Sequence, residues 1–342
     1  MANRNFGCRI TDDIVLKGNK AFVMENQKLR LTILLDRGSD IIELLYKPKD
    51  IDFMWRSPVA LHKKSDYISQ TGDSLGNYLD HVSGGWQEIL PNGGLQCVYK
   101  NAVYGMHGEI SNIPWQYKII KDQEDIISVT FCITTLRSPY TLEKTITLHS
   151  NDSCIYIHEE LENLANEDMQ LMWGHHPTIG EPFLSEDCKI ITNAKTFFTY
   201  KNKDFDNQRI VENSTFNWPI GINEENQKVD ISKIPKKNSK TADMIYLKDF
   251  PKQGEYKILN TKENLTIGMS WDSSLFPYLW MWLVCNGSFS YPWYGRTYNI
   301  ALEPWTSYPS LGLTEAIKNN SSLKIKAHEI IKTDLKLEVN QE

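Results

Sequence analysis

Polar and apolar residues alternate with a period of two along much of this chain, most clearly between residues 115 and 173. The stretches 115–120, 126–133, 140–148, 153–161 and 170–173 each read as a strand followed by a polar turn. A period of two sends successive side chains to opposite faces, as in antiparallel strands with one face on a core. The N-terminal part reads the same way. Strand 21–26 turns into 29–35, a glycine-containing turn at 36–40 follows, and 41–46 makes a third strand before Pro48.

Later strands fall at 258–260, 265–271, 277–283 and 300–305, with a closing pair at 322–326 and 332–339. Residues 57–80 are less regular, part helix or loop. The segment 200–240, rich in Asn, Lys and Glu, reads as a surface excursion, because strands resume after it. Only 312–319 has a clear helical pattern. No repeat of fixed period and no domain boundary is visible. The pattern predicts an all-β, mostly antiparallel protein with few short helices, one domain over residues 1–342.

Composition narrows the function. Net charge is -6 with a pI near 5.8, so no broad basic field exists for nucleic acid or an anionic membrane. No apolar run approaches the roughly 20 residues of a membrane helix. The N-terminus has no apolar segment behind its charge, and the six cysteines are scattered without the close pairs of zinc sites. A cytoplasmic protein with free thiols is expected, as monomer or homodimer, with no metal and no cofactor. The ten Trp and sixteen Tyr are the unusual feature, since such rings fill cores and also form platforms with a polar edge.

Candidate chemistry gathers at two prolines. In Trp173-Gly174-His175-His176-Pro177 the adjacent histidines must face opposite sides of a strand. Only one of them can serve a given site. Proline has no N–H for a ladder, so Pro177 predicts a strand end or edge, where a histidine can look into a cleft. Glu303-Pro304 repeats the arrangement at the end of the apolar run Ile300-Ala301-Leu302. A histidine and a glutamate can be tuned by burial into an acid/base pair near neutrality. A packed histidine and a salt-bridged glutamate would give the same sequence. His107, beside Gly108, could bond a substrate hydroxyl. Gln87 and Asn92, in the glycine-flanked segment 84–94, are amides suited to hydroxyls or to turns. Trp86, Trp280, Trp282 and Trp305 could stack on a sugar or belong to the core.

In this order the motifs resemble the galactose mutarotase-like, or aldose 1-epimerase, superfamily: the early strand pair around Gly38, His107-Gly108, His176-Pro177, the stretch from Trp271-Asp272 to Leu279, and Glu303-Pro304. The resemblance covers roughly residues 20 to 339. It implies a β super-sandwich with a sugar site on a concave face. It also implies that His176 protonates the ring oxygen while Glu303 takes the anomeric hydroxyl proton. The ring then opens, the C1 end rotates, and closure gives the other anomer. On the same resemblance His107 binds or polarises the sugar and Asp243 contacts its hydroxyls, while Gln87 and Trp305 are candidate sugar contacts by residue type alone.

One departure is chemical. Family mutarotases carry an arginine before the His-Gly motif, and 84–94 has none. With only eight arginines in the chain, a neutral small-molecule sugar is favoured over a phosphorylated one. Two other functions stay open. One is a carbohydrate-binding protein without turnover. The other is a different carbohydrate enzyme, a lyase, isomerase or hydrolase, where a hydrolase would need Glu109 or Glu181 across a cleft from Glu303. A metal held by His107, His176 and Glu303 has no characteristic spacing behind it.

Overall fold

The computed structural model describes every residue except 1–3, 64, 66–71, 73, 202–204, 206 and 342. Among the described residues two antiparallel sheets dominate, one of twelve strands and one of eight. Their inner faces share one apolar core. Phe22 of the larger sheet meets Phe131 of the smaller edge to face, with ring centroids 5.6 Å apart. The all-β expectation is met: the described α-helices are Ser74–Leu79 and Leu313–Lys318, each six residues long.

The alternation seen in the sequence becomes sheet geometry. Tyr140–His149 has the burial pattern of a half-covered strand, with Tyr140, Leu142, Ile146 and Leu148 inward. The early strands form as Asn19–Glu25, Leu29–Leu34 and Asp40–Tyr46, and a strand at Arg9–Leu16 adds the sheet edge. The final two strands do not pair with each other. Leu323–Ile325 pairs with Met169–Leu171, while Ile330–Gln341 is inserted between Cys154–Asn163 and Leu265–Asp272. Within 200–240 three short strands occur, Thr215–Asn217, Ile220–Ile222 and Lys228–Asp230. Part of the irregular 57–80 stretch, and residues 202–204 and 206 of the excursion, lie outside the described residues.

Five neighbouring strands in the middle of the larger sheet carry the candidate chemistry. In spatial order they are Trp86–Ile89, Gly174–Ile179, Tyr298–Trp305, Tyr278–Cys285 and Thr241–Lys248. Pro177 lies inside a central strand, which corrects the sequence expectation, while Pro304 stands one residue from the end of its strand. The reason lies in where each missing donor would point. Thr178 gives its N–H to Gly85 on one side, so Pro177, one residue earlier, would have aimed at the strand on the other side, Tyr298–Trp305. Thr306 gives its N–H to Trp173, so Pro304, two residues earlier, faces the same seam from the opposite strand. Both losses fall on one seam, and the remaining ladders on the outer sides of the two strands hold them in the sheet.

Candidate active site

The seam between Gly174–Ile179 and Tyr298–Trp305 pairs Gly174 with Trp305 and Thr178 with Ala301. That register sets His176 opposite Glu303, side chains on the same face. Hydrogen bonding of the flanking residues makes theirs a non-hydrogen-bonded pair, the kind in which side chains stand closest. His176 Nε2 lies 3.5 Å from Glu303 Oε1. His176 is 9% exposed and Glu303 only 1%.

Burial sets the protonation of the pair. It pushes the Glu303 carboxyl up to about 8, against the opposing pull of the Trp305 indole N–H, which donates to Oε2 at 2.9 Å. It pushes the His176 imidazole down to about 4. Between these values the pair holds one proton. His176 Nδ1 is 3.0 Å from the Thr178 hydroxyl. With Nδ1–H donated to Thr178, Nε2 is left to exchange the shared proton with Glu303.

His107 stands beside this pair, its ring centroid 5.5 Å from that of His176. It occupies the left-handed region, φ 54°, and the amide of Gly94 donates to its Nδ1 at 3.4 Å. Burial holds it well below the usual histidine range, so it is neutral with its proton on Nε2, a donor for a hydroxyl. Gln87 pairs with His176 across the next strand. Its carbonyl accepts from the Tyr78 hydroxyl, and its amide donates to Asp40 at 3.1 Å. Asp40 is fully buried, raised to about 6 by that burial, and faces Arg37 at 3.4 Å.

The sequence pattern reads 36–40 as a turn and gives Arg37 and Asp40 no role at the site. Arg37 and Asp40 brace Gln87 from below. The signal that could have revealed them was an arginine and an aspartate three residues apart around a glycine at φ 60°, where a Cβ would collide with Ser111.

His176, Glu303, Thr178, His107 and Gln87 line a cavity of about 720 Å³. Its wall is aromatic. Trp55 meets Trp282 at 5.8 Å and Trp293 at 5.3 Å, and Tyr78 packs in the same cluster. Among the described lining residues Glu303 is the sole carboxylate, and no lysine or arginine is present.

Other predicted residues are placed elsewhere. Asp243 alternates with the cavity-lining Met244 and faces away. Its two carboxylate oxygens accept from Arg209, at 2.8 Å from the backbone N–H and 2.6 Å from Nε. Trp305 is not a platform: it lies under Glu303, fully buried and stacked on Trp280 with centroids 4.1 Å apart. Gly174 makes room for it, since a Cβ there would come within 2.2 Å of the indole. Trp86 packs in the core near His175. Asn92 serves backbone groups of Leu95, Gly105 and Leu313. Glu109 accepts from Arg137 and Ser138, Glu181 pairs with Lys237, and neither lines the cavity.

His175 faces the other way, into the sandwich. Its Nε2 is 3.1 Å from Glu159, and Glu88 lies beside them. Of the described residues these three, not His107, His176 and Glu303, bring ligand atoms close enough for a metal ion. Lys144 already supplies the positive charge, its ammonium 3.1 Å from Glu88. Trp173 donates to the other Glu88 oxygen at 2.9 Å.

An antiparallel super-sandwich with its cavity on the central strands is the galactose mutarotase-like fold, and solved structures agree. A Clostridium acetobutylicum galactose mutarotase-like protein is 16% identical, with TM-score 0.65 over 98% of this chain and 99% of its own. A Klebsiella pneumoniae protein provisionally assigned as an aldose 1-epimerase is 14% identical, with TM-score 0.70 over 97% of this chain and 83% of its own. A galactose mutarotase related enzyme from Lactobacillus acidophilus is 14% identical, with TM-score 0.62 over 94% and 97%. At such identities the likeness speaks for the fold alone. Within that fold the chain belongs to the family described as a domain of unknown function, DUF4432, whose model matches residues 16–339. No curated protein matches the sequence. No helix among the described residues is long and apolar enough to cross a membrane.

Proposed function

We propose that this protein is an aldose 1-epimerase acting on a neutral sugar. The observation that carries the reading is the facing pair itself: His176 and Glu303, 3.5 Å apart on one sheet face, with one proton between them in a cavity whose described lining residues carry no other fixed charge. The ring oxygen and the anomeric hydroxyl of a pyranose are both bonded to C1, so two groups this close can reach one each.

The reaction needs no net proton. In the reactive tautomer His176 is imidazolium and Glu303 carboxylate. Nε2 gives its proton to the ring oxygen, the C1–O5 bond breaks, and Glu303 Oε1 takes the anomeric hydroxyl proton. The pair again holds one proton, now on the carboxyl. Rotation about C1–C2 exposes the other face of the aldehyde. Closure returns the carboxyl proton to the C1 oxygen while Nε2 recovers its own. Burial favours the uncharged tautomer, with the proton on Glu303, and sugar hydroxyls entering the cavity supply dipoles that favour the charged one. Proton transfer by a positioned group contributes about 10²–10⁴-fold, and fixed orientation adds to it.

Polarimetry on freshly dissolved α-glucose, α-galactose and other aldoses tests the reading. Wild type should exceed the buffer rate on at least one sugar, and His176→Ala and Glu303→Gln should return it to that rate. Equal rates for protein and buffer on every sugar would overturn it.

A further inference from the structure

The cavity is larger than one sugar ring requires. A hexose displaces on the order of six waters, roughly 200 Å³, and the cavity is about 720 Å³. The reacting pair lies at its inner end, on the sheet. The outer part is bounded by the 286–296 segment, whose Phe289 and Tyr291 are 58% and 43% exposed, and by Leu95, 46% exposed, on another part of the wall.

These outer rings are exposed yet held. Phe289 packs against Gly295, where a Cβ would come within 3.3 Å of the ring. The Tyr291 hydroxyl donates to Asp80, which follows the Ser74–Leu79 helix. Trp293 of the same segment packs between Trp55 and Trp282. Fixed aromatic faces at the mouth of a cavity are binding surface, because they present apolar area without ordering cost on contact.

The chemistry of this outer part selects its occupant. It has no fixed charge among the described lining residues, which favours a neutral ligand. Ser288 and Ser290 place hydroxyls among the rings, which suits a sugar better than an alkyl chain. The occupant must also leave the anomeric hydroxyl free for the inner pair, so it is joined to the reacting ring through another hydroxyl.

We propose that the site takes the reducing end of a neutral disaccharide or longer oligosaccharide, with the reducing ring at His176 and Glu303 and the next ring against Phe289 and Tyr291. The proposal rests on the epimerase reading for the inner ring, and the outer ring can be tested without it.

Polarimetry and calorimetric titration would be run in parallel on glucose, galactose, maltose, cellobiose, lactose and maltotriose, with wild type, Phe289→Ala and Tyr291→Phe. Phe289→Ala removes the outer face; Tyr291→Phe keeps the ring and removes only its tie to Asp80. For wild type, at least one disaccharide should show roughly tenfold higher kcat/KM, or roughly tenfold tighter binding, than its own monosaccharide. Phe289→Ala should lower that ratio about tenfold, and Tyr291→Phe should lower it less.

Ratios near one in wild type overturn the proposal, as does a ratio that Phe289→Ala leaves alone. If no sugar is turned over, the epimerase reading fails, and the binding ratios still decide the outer subsite. Light scattering covers the remaining alternative: a wild-type dimer that Phe289→Ala converts to monomer would make these rings a self-contact and overturn the sugar assignment.

Discussion

Trp305 donates its indole N–H to Glu303 Oε2 at 2.9 Å from two residues along the same strand, leaving Oε1 alone to face His176. This one bond divides the carboxylate into a held oxygen and a reacting one. It also favours the ionised form, opposing the burial that raises the group to about 8. Trp305→Phe should therefore move the alkaline limb of the pH–rate profile upward, because the carboxyl loses a donor to its charged state. Polarimetric rates across pH 7 to 10 would show it, with kcat lower by roughly tenfold through a less fixed carboxylate.

The wild-type profile should be a plateau bounded on both sides. Below about 4 His176 takes up a proton while Glu303 keeps its own, and no base remains. Above about 8 the shared proton is lost, and no acid remains. Apparent values belong to the pair, not to either group. Enzyme-dependent polarimetric rates corrected for buffer catalysis would define both limbs; a single-limbed profile would contradict a shared proton.

Glu303 should cost the fold stability that Gln would not. Its carboxyl holds a proton in the folded protein up to about 8 but loses it near 4.5 when unfolded, so wild-type stability falls as pH rises through that window. Glu303→Gln can accept from Trp305 and carries no such penalty. Its melting temperature should exceed that of wild type by a margin that grows from pH 5 to pH 8 and is level above it, a few degrees at the top. Paired thermal melts at three pH values check the slope.

Thr178 is a positioning residue. Its hydroxyl lies 3.0 Å from His176 Nδ1, and with Nδ1–H donated to it only the Nε2 proton moves. Thr178→Val keeps the volume and removes the acceptor. The rate should fall roughly tenfold and the acid limb should move further down, since the imidazolium loses a partner. Thr178→Ser should restore both, an outcome that a packing role for the methyl would not produce.

Much of this architecture was legible in the chain and part of it was not, for physical reasons. Alternation at period two declared the antiparallel strands, and it required His175 and His176 to part company. It could not place two strands side by side, so the meeting of His176 with Glu303 rested on resemblance until the register was seen. Pro177 misled because a proline reports only its missing donor. Which side that donor would have faced depends on the neighbouring strand. Asp243 and Met244 take opposite faces by strand parity, and the sequence alone does not say which of the two meets the cavity. Trp305 resembles a platform because sequence does not separate a ring beside a ligand from one beneath a buried carboxylate.

The interior cluster makes a separate prediction. Lys144 is the ammonium beside Glu88, with Glu159 and His175 adjoining and all of them buried. Lys144→Met leaves buried carboxylates without that charge and should destabilise by about 3–5 kcal/mol. Adding Glu88→Gln, which can still accept from Trp173, should recover part of the loss. Denaturant midpoints of the single and double variants would measure the coupling.

The two imidazoles of Gly174–Ile179 are neighbours in the chain and strangers in space, one lining the chamber and one sealed behind its wall. A slip of a single position would trade them, entombing the reactive ring and exposing the keystone. A one-residue insertion or deletion ahead of the histidines would exchange which imidazole meets Glu303 and which meets Glu159. The length of this segment is therefore as strict a requirement as the identity of His176.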